Sequence, residues 1–302
     1  MATWPETRRP ATRRPSPRRR RSDQKEIKRR RVPELPEVET TRRGITAHLL
    51  GRCVTAVVVR ESRLRSPVPI ALVQELPGQP IAAVRRRGKY LFLEARTGTV
   101  ILHLGMSGSL RLVSLATAPG PHEHLDLVIG EETCLRLRDP RRFAVVLWTR
   151  EPPEHHPLLA ALGPEPWDVG FTGAYLYGRA RGRRVAVKNF IMDSHTVAGV
   201  GNIYANEALY AAGIRPTRPA RRISPSRYER LGEAIREVLE RAIRDGGTTL
   251  RDFTDTSGRP GYFAQHLRVY GRAGGPCGRC GAPVRQVRLG QRSAYFCPRC
   301  QR

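Results

Sequence analysis

"CGRCGAPVRQVRLGQRSAYFCPRC", Cys277 to Cys300, holds two Cys-x2-Cys pairs separated by sixteen residues. Each pair can present two thiolates to one ion, and the stretch between them has the length and alternation of a β-hairpin. Four sulfurs can close a tetrahedral site, so one structural Zn2+ held by Cys277, Cys280, Cys297 and Cys300 is expected. A closed four-thiolate site keeps no open coordination position, so the ion braces the hairpin and performs no chemistry. The alternative is a pair of redox dithiols, but no thioredoxin-like βαβ pattern surrounds them. The hairpin tip carries Arg288, Gln291 and Arg292.

Upstream of this module the chain reads as helical. "HTVAGVGNIYANEALYAAGI", His195 to Ile214, sets two glycines around a valine just before a helix rich in Ala, Leu and Ile. Glycines there allow close backbone approach and aim free amides at a phosphate, although such turns also serve plain helix packing. Ser224 or Ser226 can cap a later helix whose apolar face is Tyr228, Leu231, Ile235, Val238, Leu239 and Ala242, and "DGG" at 245–247 ends it. Between Val54 and Trp148 the texture changes to short runs such as "KYLFLEA", "TVILHLGM", "LDLVI" and "FAVVLW", broken by Gly and Pro, which predicts a β-sandwich or barrel. Ahead of it, Val38, Thr41, Ile45 and Leu49 recur at helical spacing, with Pro36 near the start and Gly51 past the end. The expected fold class is α+β in two lobes. The β-sandwich lobe with its flanking helices takes 33–150, a Pro-rich linker 151–165, a helical domain 166–265 and the cysteine module 266–302.

The 302 residues carry 54 Lys+Arg against 27 Asp+Glu, a formal charge of +27. Residues 1–31 hold 13 of those basic residues and 3 of the acidic ones, so the remainder keeps 41 against 24 and is itself basic. That is the balance of a polyanion binder. No apolar run approaches the length of a membrane span, and a soluble, intracellular protein is expected. The opening "MATWPETRRPATRRPSPRRRRSDQKEIKRRR" lacks hydrophobic periodicity and is rich in Pro and Arg, so 1–32 reads as a disordered basic extension. Cys53 and Cys134 read as inert core or surface thiols.

In order along the chain stand "PELPEVE", "GMSGSL", "DPRRF", "VAGVGNIYANE", "GRPGYFAQ" and the paired Cys-x2-Cys motif. Together they resemble bacterial formamidopyrimidine-DNA glycosylase, from Pro33 to Gln301. The resemblance implies a β-sandwich, a helix-two-turns-helix element and a zinc finger. It implies excision of oxidised purines from duplex DNA, followed by strand cleavage at the abasic site. The expected partner is double-stranded damaged DNA, bound by a monomer in the bacterial cytoplasm, with no membrane.

The same resemblance assigns roles. Pro33 matches the nucleophile, an N-terminal proline that forms a Schiff base, and Glu34 beside it matches the proton donor. Lys89 matches a lysine that assists strand cleavage, and Arg292 the arginine linked to the second elimination. Met106, Arg141 and Phe143 match the side chains that fill the gap left by an everted nucleotide, although by residue type alone Met106 and Phe143 suit a core equally. Here Ala144 follows the wedge where glycine is usual. Phosphate contacts fall to His122, Arg184, Asn202 and Arg292, with Lys188 close to the cleft; Arg184 replaces a commoner lysine and keeps the charge. Thr254 to Phe263 matches a loop that closes over the everted base.

A peptide-bonded proline nitrogen has its lone pair delocalised into the carbonyl, so Pro33 can attack only as a free terminus. The preferred reading is that Val32 marks a GTG start decoded as methionine and removed, with residues 1–31 never made. Otherwise the tail is real, and is either cleaved before Pro33 or kept as a basic arm that blocks catalysis. Competing functions are the related endonuclease for oxidised pyrimidines, a non-catalytic reader of damaged DNA and an RNA-binding zinc ribbon. "PELPEVE" with "DPRRF" points away from the first, the Pro33 nitrogen decides the second, and the third leaves Glu34 and Lys89 unexplained.

Overall fold

Pro36 in the first turn pre-sets a helical φ, and the three-to-four spacing of Val38, Ile45 and Leu49 buries one face of the helix α1, Leu35–Leu49. The structure, a computed structural model, describes residues 32–247 and 263–302. Residues 1–31 and, of the expected lid Thr254 to Phe263, residues 254–262 lie outside the described residues.

Two antiparallel sheets follow. The five-stranded sheet has the order β2-β1-β7-β8-β6, from β1 (Cys53–Val59), β2 (Gln79–Pro80), β6 (Ser109–Ser114), β7 (Glu123–Ile129) and β8 (Thr133–Arg138). The four-stranded sheet has the order β3-β4-β5-β9, from β3 (Ala83–Arg87), β4 (Tyr90–Glu94), β5 (Thr99–His103) and β9 (Val145–Thr149). Alternate residues of both, such as Val54, Leu91, Leu93, Leu102, Leu127 and Leu137, enter one core with Val38, Ile45 and Leu49 of α1. This is the expected sandwich with a helix on its flank. Phe92 and Ile101 point to the opposite face of the second sheet and are covered by Leu159 of the linker, so the middle of β4 is buried on both sides. A short helix α2 (Ile70–Glu75) joins β1 to β2.

The linker contains a 3-10 turn at Pro153–His155 and a single helical turn α3 (Pro157–Ala160). The helical lobe comprises α4 (Gly173–Ala180), α5 (Val187–Met192), α6 (Asn202–Ala211) and α7 (Pro225–Arg244). The face expected for α7 is buried at Tyr228, Leu231, Ile235, Leu239 and Ala242 and packs with Leu176, Ile203, Tyr204 and Leu209. Ser224 occupies the N-cap of α7 without a side-chain capping bond; Pro225 starts the helix instead. The hairpin β10 (Arg285–Leu289) and β11 (Arg292–Phe296) closes with Leu289 opposite Arg292.

The two lobes are tied by ion pairs. Arg86 of β3 reaches Glu39 of α1 at 3.1 Å and Glu165 at the start of the helical lobe at 2.5 Å, all three side chains being nearly buried. The Leu35 amide donates to the Gly199 carbonyl at 3.2 Å, which brings the start of α1 against the turn before α6. Among the described residues no helix is long and apolar enough to cross a membrane.

Candidate active site and nucleic-acid interface

The Gly-Val-Gly turn shows what its glycines are for. Gly199 has φ +96°, and a Cβ there would be driven into Leu35, while one on Gly201 would be driven into the Glu34 carboxyl. The free amides at the start of α6 are taken from within the chain, since Glu34 Oε1 accepts from Ile203 N–H at 2.9 Å and Oε2 lies 3.4 Å from the Tyr204 nitrogen. Glu34 thus meets two of the amides that a phosphate at this turn would otherwise use. A protein carboxylate occupies the helix N-terminus, where the macrodipole favours it.

Glu34 is 1% exposed. Burial raises its pKa to about 7, against the opposing positive charge of Lys89 and the two amides. The Glu34 N–H donates to Glu37 Oε2 at 3.0 Å, and the Tyr204 hydroxyl donates to Glu37 Oε1 at 2.6 Å. Pro33 is buried beside it.

Two lysines face this carboxyl, and Arg292 acts on both of them. Lys89, next to the start of β4, donates to the Val200 carbonyl at 3.3 Å; burial lowers its pKa, and Arg292 adds to the effect while Glu34 and Glu37 oppose it. Lys188 of α5 is 0% exposed, and its ammonium has no hydrogen-bond partner among the described residues. Burial and then the charge of Arg292 bring Lys188 down to about 8, with Glu34 again opposing. Arg292 is exposed at the hairpin tip, yet its charge reaches both lysines. Asn202 completes the group, its Oδ1 buried. Pro33, Glu34, Lys89, Lys188, Asn202 and Arg292 thus converge on the start of α6, from separate stretches of chain.

A second group forms around Asp139, which is 0% exposed. Its Oδ1 accepts from the Ser107 hydroxyl at 2.5 Å and from Arg141 N–H at 3.2 Å, and its Oδ2 accepts from Ala144 N–H at 2.7 Å. One carboxylate therefore holds the Met106 turn and the "DPRRF" loop together. Gly105 lets the two approach, because a Cβ there would strike the Phe143 backbone. Phe143 is 38% exposed and Met106 half-buried, so neither is a core residue. The Arg141 guanidinium sits 4.7 Å from the Phe143 ring centroid. His122 is exposed at φ +69°, and its carbonyl accepts from Asp139 N–H at 2.9 Å. Arg184 stands apart, exposed in the loop before α5.

His103 links the two groups and was not singled out from the sequence, nor was Asp139. The His103 ring lies 4.7 Å from Tyr90, and its Nδ1 accepts from Gly105 N–H at 3.0 Å, next to Met106. Burial, then Lys89 and Arg65, hold its pKa down to about 4, so the ring is neutral at physiological pH. Tyr270, at the entry to the cysteine module, was also missed; its hydroxyl lies beside Asn202, within reach of the charges of Glu34 and Arg292. Asp139 had a weak signal as the first letter of "DPRRF", whereas His103 and Tyr270 look like ordinary strand and loop residues.

The sulfurs of Cys277, Cys280, Cys297 and Cys300 all lie within 4.8 Å of one another. The separations of 3.5 Å for Cys280–Cys297 and 3.9 Å for Cys277–Cys300 bracket the ~3.8 Å edge of a tetrahedron with Zn–S bonds of about 2.3 Å. The residues fit one structural Zn2+. Cys53 is half-buried and Cys134 buried, both well apart from this set in sequence.

Comparison with known proteins gives three matches to family models: the formamidopyrimidine-DNA glycosylase N-terminal domain at 32–146, the formamidopyrimidine-DNA glycosylase H2TH domain at 162–254, and the zinc finger found in FPG and IleRS at 274–302. The formamidopyrimidine-DNA glycosylase of Methylococcus capsulatus is 63% identical over 271 residues, which is 90% of this chain and 100% of that protein. That of Nitrosococcus oceani is 58% identical over 270 residues, 89% of this chain and 100% of the relative. Among solved structures, the MutM (Fpg) protein of Thermus thermophilus matches with a TM-score of 0.80 and 38% identity, covering 89% of this chain and 98% of that one. A mutant Lactococcus lactis FPG in complex with Fapy-dG containing DNA matches with a TM-score of 0.83 and 32% identity, over 89% of this chain and 100% of that one. The structure of MutM in complex with carbocyclic 8-oxo-G containing DNA gives 0.82 and 32%, with the same coverage.

Proposed function

The chain belongs to the formamidopyrimidine-DNA glycosylase family, and on that premise we propose that it removes 8-oxoguanine and formamidopyrimidines from duplex DNA and then cuts the strand by β,δ-elimination. It is a DNA glycosylase and abasic-site lyase of base excision repair. The observation that carries the mechanistic reading is Glu34, a buried carboxyl with a pKa of about 7 beside Pro33 and within reach of Lys89 and Lys188.

The Pro33 nitrogen acts as a free secondary amine. A terminal α-amine has a pKa of about 8, so an appreciable share is unprotonated at neutral pH. Its lone pair forms a bond to C1′ as the N-glycosidic bond breaks and the base leaves with a proton. The C1′–O4′ bond then opens as Glu34 delivers its proton to the ring oxygen, which leaves an iminium on C1′. Loss of a C2′ proton expels the 3′ phosphate, with Lys89 beside the reacting sugar; the second elimination expels the 5′ phosphate, with Arg292 against it. Met106, Arg141 and Phe143, held by Asp139, fill the gap left by the everted nucleotide. His122, Arg184, Asn202 and Arg292 grip phosphates, and Lys188 lies close to the cleft. Zn2+ on the four cysteines would brace the hairpin that presents Arg292. The enzyme works as a monomer in the bacterial cytoplasm.

The test is borohydride trapping on duplex DNA with an abasic site opposite cytosine, using the 302-residue chain and a version beginning at Pro33, with intact masses checked. Trapping of the Pro33 version alone is the expected result. Two findings support it: the family model begins at residue 32, and nine-tenths of this chain spans the whole of each relative. Equal trapping of the uncleaved 302-residue chain would move the nucleophile to an internal amine such as Lys89 and sink the assignment. Excision from oxidised pyrimidines in preference to 8-oxoguanine would favour the related endonuclease.

A further inference from the structure

The cysteine cluster has one contact that neither the metal nor the DNA chemistry requires. Tyr210, on the last turn of α6, is 3% exposed, and its hydroxyl lies 3.2 Å from Cys277 Sγ. From inside the first Cys-x2-Cys turn Arg279 reaches back over the same residue. Its guanidinium carbon is 4.6 Å from the Tyr210 ring centroid, and its nitrogens donate to the Tyr210 and Ala211 carbonyls at 3.1 and 3.2 Å. The Arg279 amide also lies 3.4 Å from Cys277 Sγ. Tyr210 thus adds a side-chain hydroxyl to a cluster whose sulfurs also contact one another and backbone amides.

We propose that Tyr210 is a metal-retention residue, its hydroxyl donating to the Cys277 thiolate and slowing loss of Zn2+. Donor and acceptor are set by chemistry. A zinc-bound thiolate carries no proton, whereas a phenol keeps its own at neutral pH, so the O–H must donate. Four thiolates on one Zn2+ leave a net charge of −2, and a buried donor disperses part of it. The bond makes Cys277 a poorer target for protonation and for electrophiles, the two routes by which a thiolate site opens. It also joins the metal to α6, the helix whose opposite end holds Glu34, with Glu207 between them accepting three amides from 268–270. The inference rests on the cysteines holding Zn2+ and is independent of the DNA chemistry.

The test uses the zinc-loaded 302-residue chain and Tyr210→Phe, which keeps the ring and its stacking with Arg279. Zinc content is measured first; a wild-type protein with no bound zinc would overturn the metal reading itself. Transfer of zinc to a chromophoric chelator is then expected to be at least about tenfold faster for Tyr210→Phe, the lower end of what loss of such a supporting bond costs. Timed alkylation with peptide mass spectrometry should show Cys277 modified after Cys300 in the wild type, with all four cysteines alkylated faster in the variant and Cys277 gaining most. A variant that releases zinc at the wild-type rate overturns the proposal. Should Tyr210→Phe fail to fold, the alkylation order in the wild type still decides, because Cys277 reacting before Cys300 contradicts it.

Discussion

Glu34 shows how one residue acquires its chemistry from surroundings gathered along the whole chain. Burial outweighs Lys89 and two amide donors and places its pKa at about 7, above the ordinary 4.5. An acid that must be protonated to work loses activity as pH rises through that value, so single-turnover excision should fall above about pH 7. Glu34→Gln should lower the rate by roughly 10²–10⁴-fold at every pH and abolish that limb of the profile. A limb that persists in the variant would assign it elsewhere. For folding, the raised value means that the contribution of Glu34 is fully present below about 4.5 and is lost as pH rises through about 7. The residue was legible in "PELPEVE", but its proton affinity was not, since desolvation comes from α6, some 170 positions away in the chain.

At the scale of the element, α6 and the Asp139 loop carry the site. Gly201→Ala puts a methyl group where the Glu34 carboxyl lies and should therefore lower excision by at least about tenfold while the circular dichroism spectrum is kept. Undiminished excision would mean that Glu34 need not sit against the amides. Asp139→Ala removes the acceptor of the buried Ala144 amide, the partly buried Arg141 amide and the Ser107 hydroxyl. It should cost about 1–3 kcal/mol for each amide left unsatisfied, read by urea unfolding, and should weaken binding to a lesion duplex through the slackened wedge. The elements themselves were largely readable: the helical spacing in α1 and α7 and the short runs of the sandwich appear where the patterns put them. The role of the Gly-Val-Gly turn was not legible locally, because a helix N-terminus accepts any anion and no local pattern says whether that anion is a phosphate or a distant side chain such as Glu34.

At the scale of the whole molecule, charge and the joint between lobes dominate. With 41 basic against 24 acidic residues beyond position 31, affinity for duplex DNA should fall steeply and linearly on a log–log plot against salt. Arg184→Ala should reduce that slope by about 1 and weaken lesion and undamaged duplexes alike, as befits a phosphate contact. An unchanged slope would remove Arg184 from the interface. Arg86 joins Glu39 to Glu165 with little exposure, so Arg86→Ala should destabilise the fold by about 3–5 kcal/mol, measured by urea unfolding, because it leaves the Glu165 carboxylate without its cation, whereas Glu39 keeps Arg42 and Arg43.

By itself the amino-acid sequence determined what local spacing can carry: the four-cysteine zinc site, the alternating strands, the apolar helix faces, the basic balance and the motifs that placed Pro33, Glu34, Lys89 and Arg292 in one family. Those features rest on neighbours within a few residues or on residue type alone. Only the tertiary structure decided which groups meet. It set Glu34 on the amides of α6, left Lys188 buried without a partner among the described residues, made His103 a neutral acceptor beside the Met106 turn and brought Tyr210 to Cys277. The physical reason is that desolvation and hydrogen-bond geometry depend on atoms contributed by remote segments, and sequence order does not record their distances.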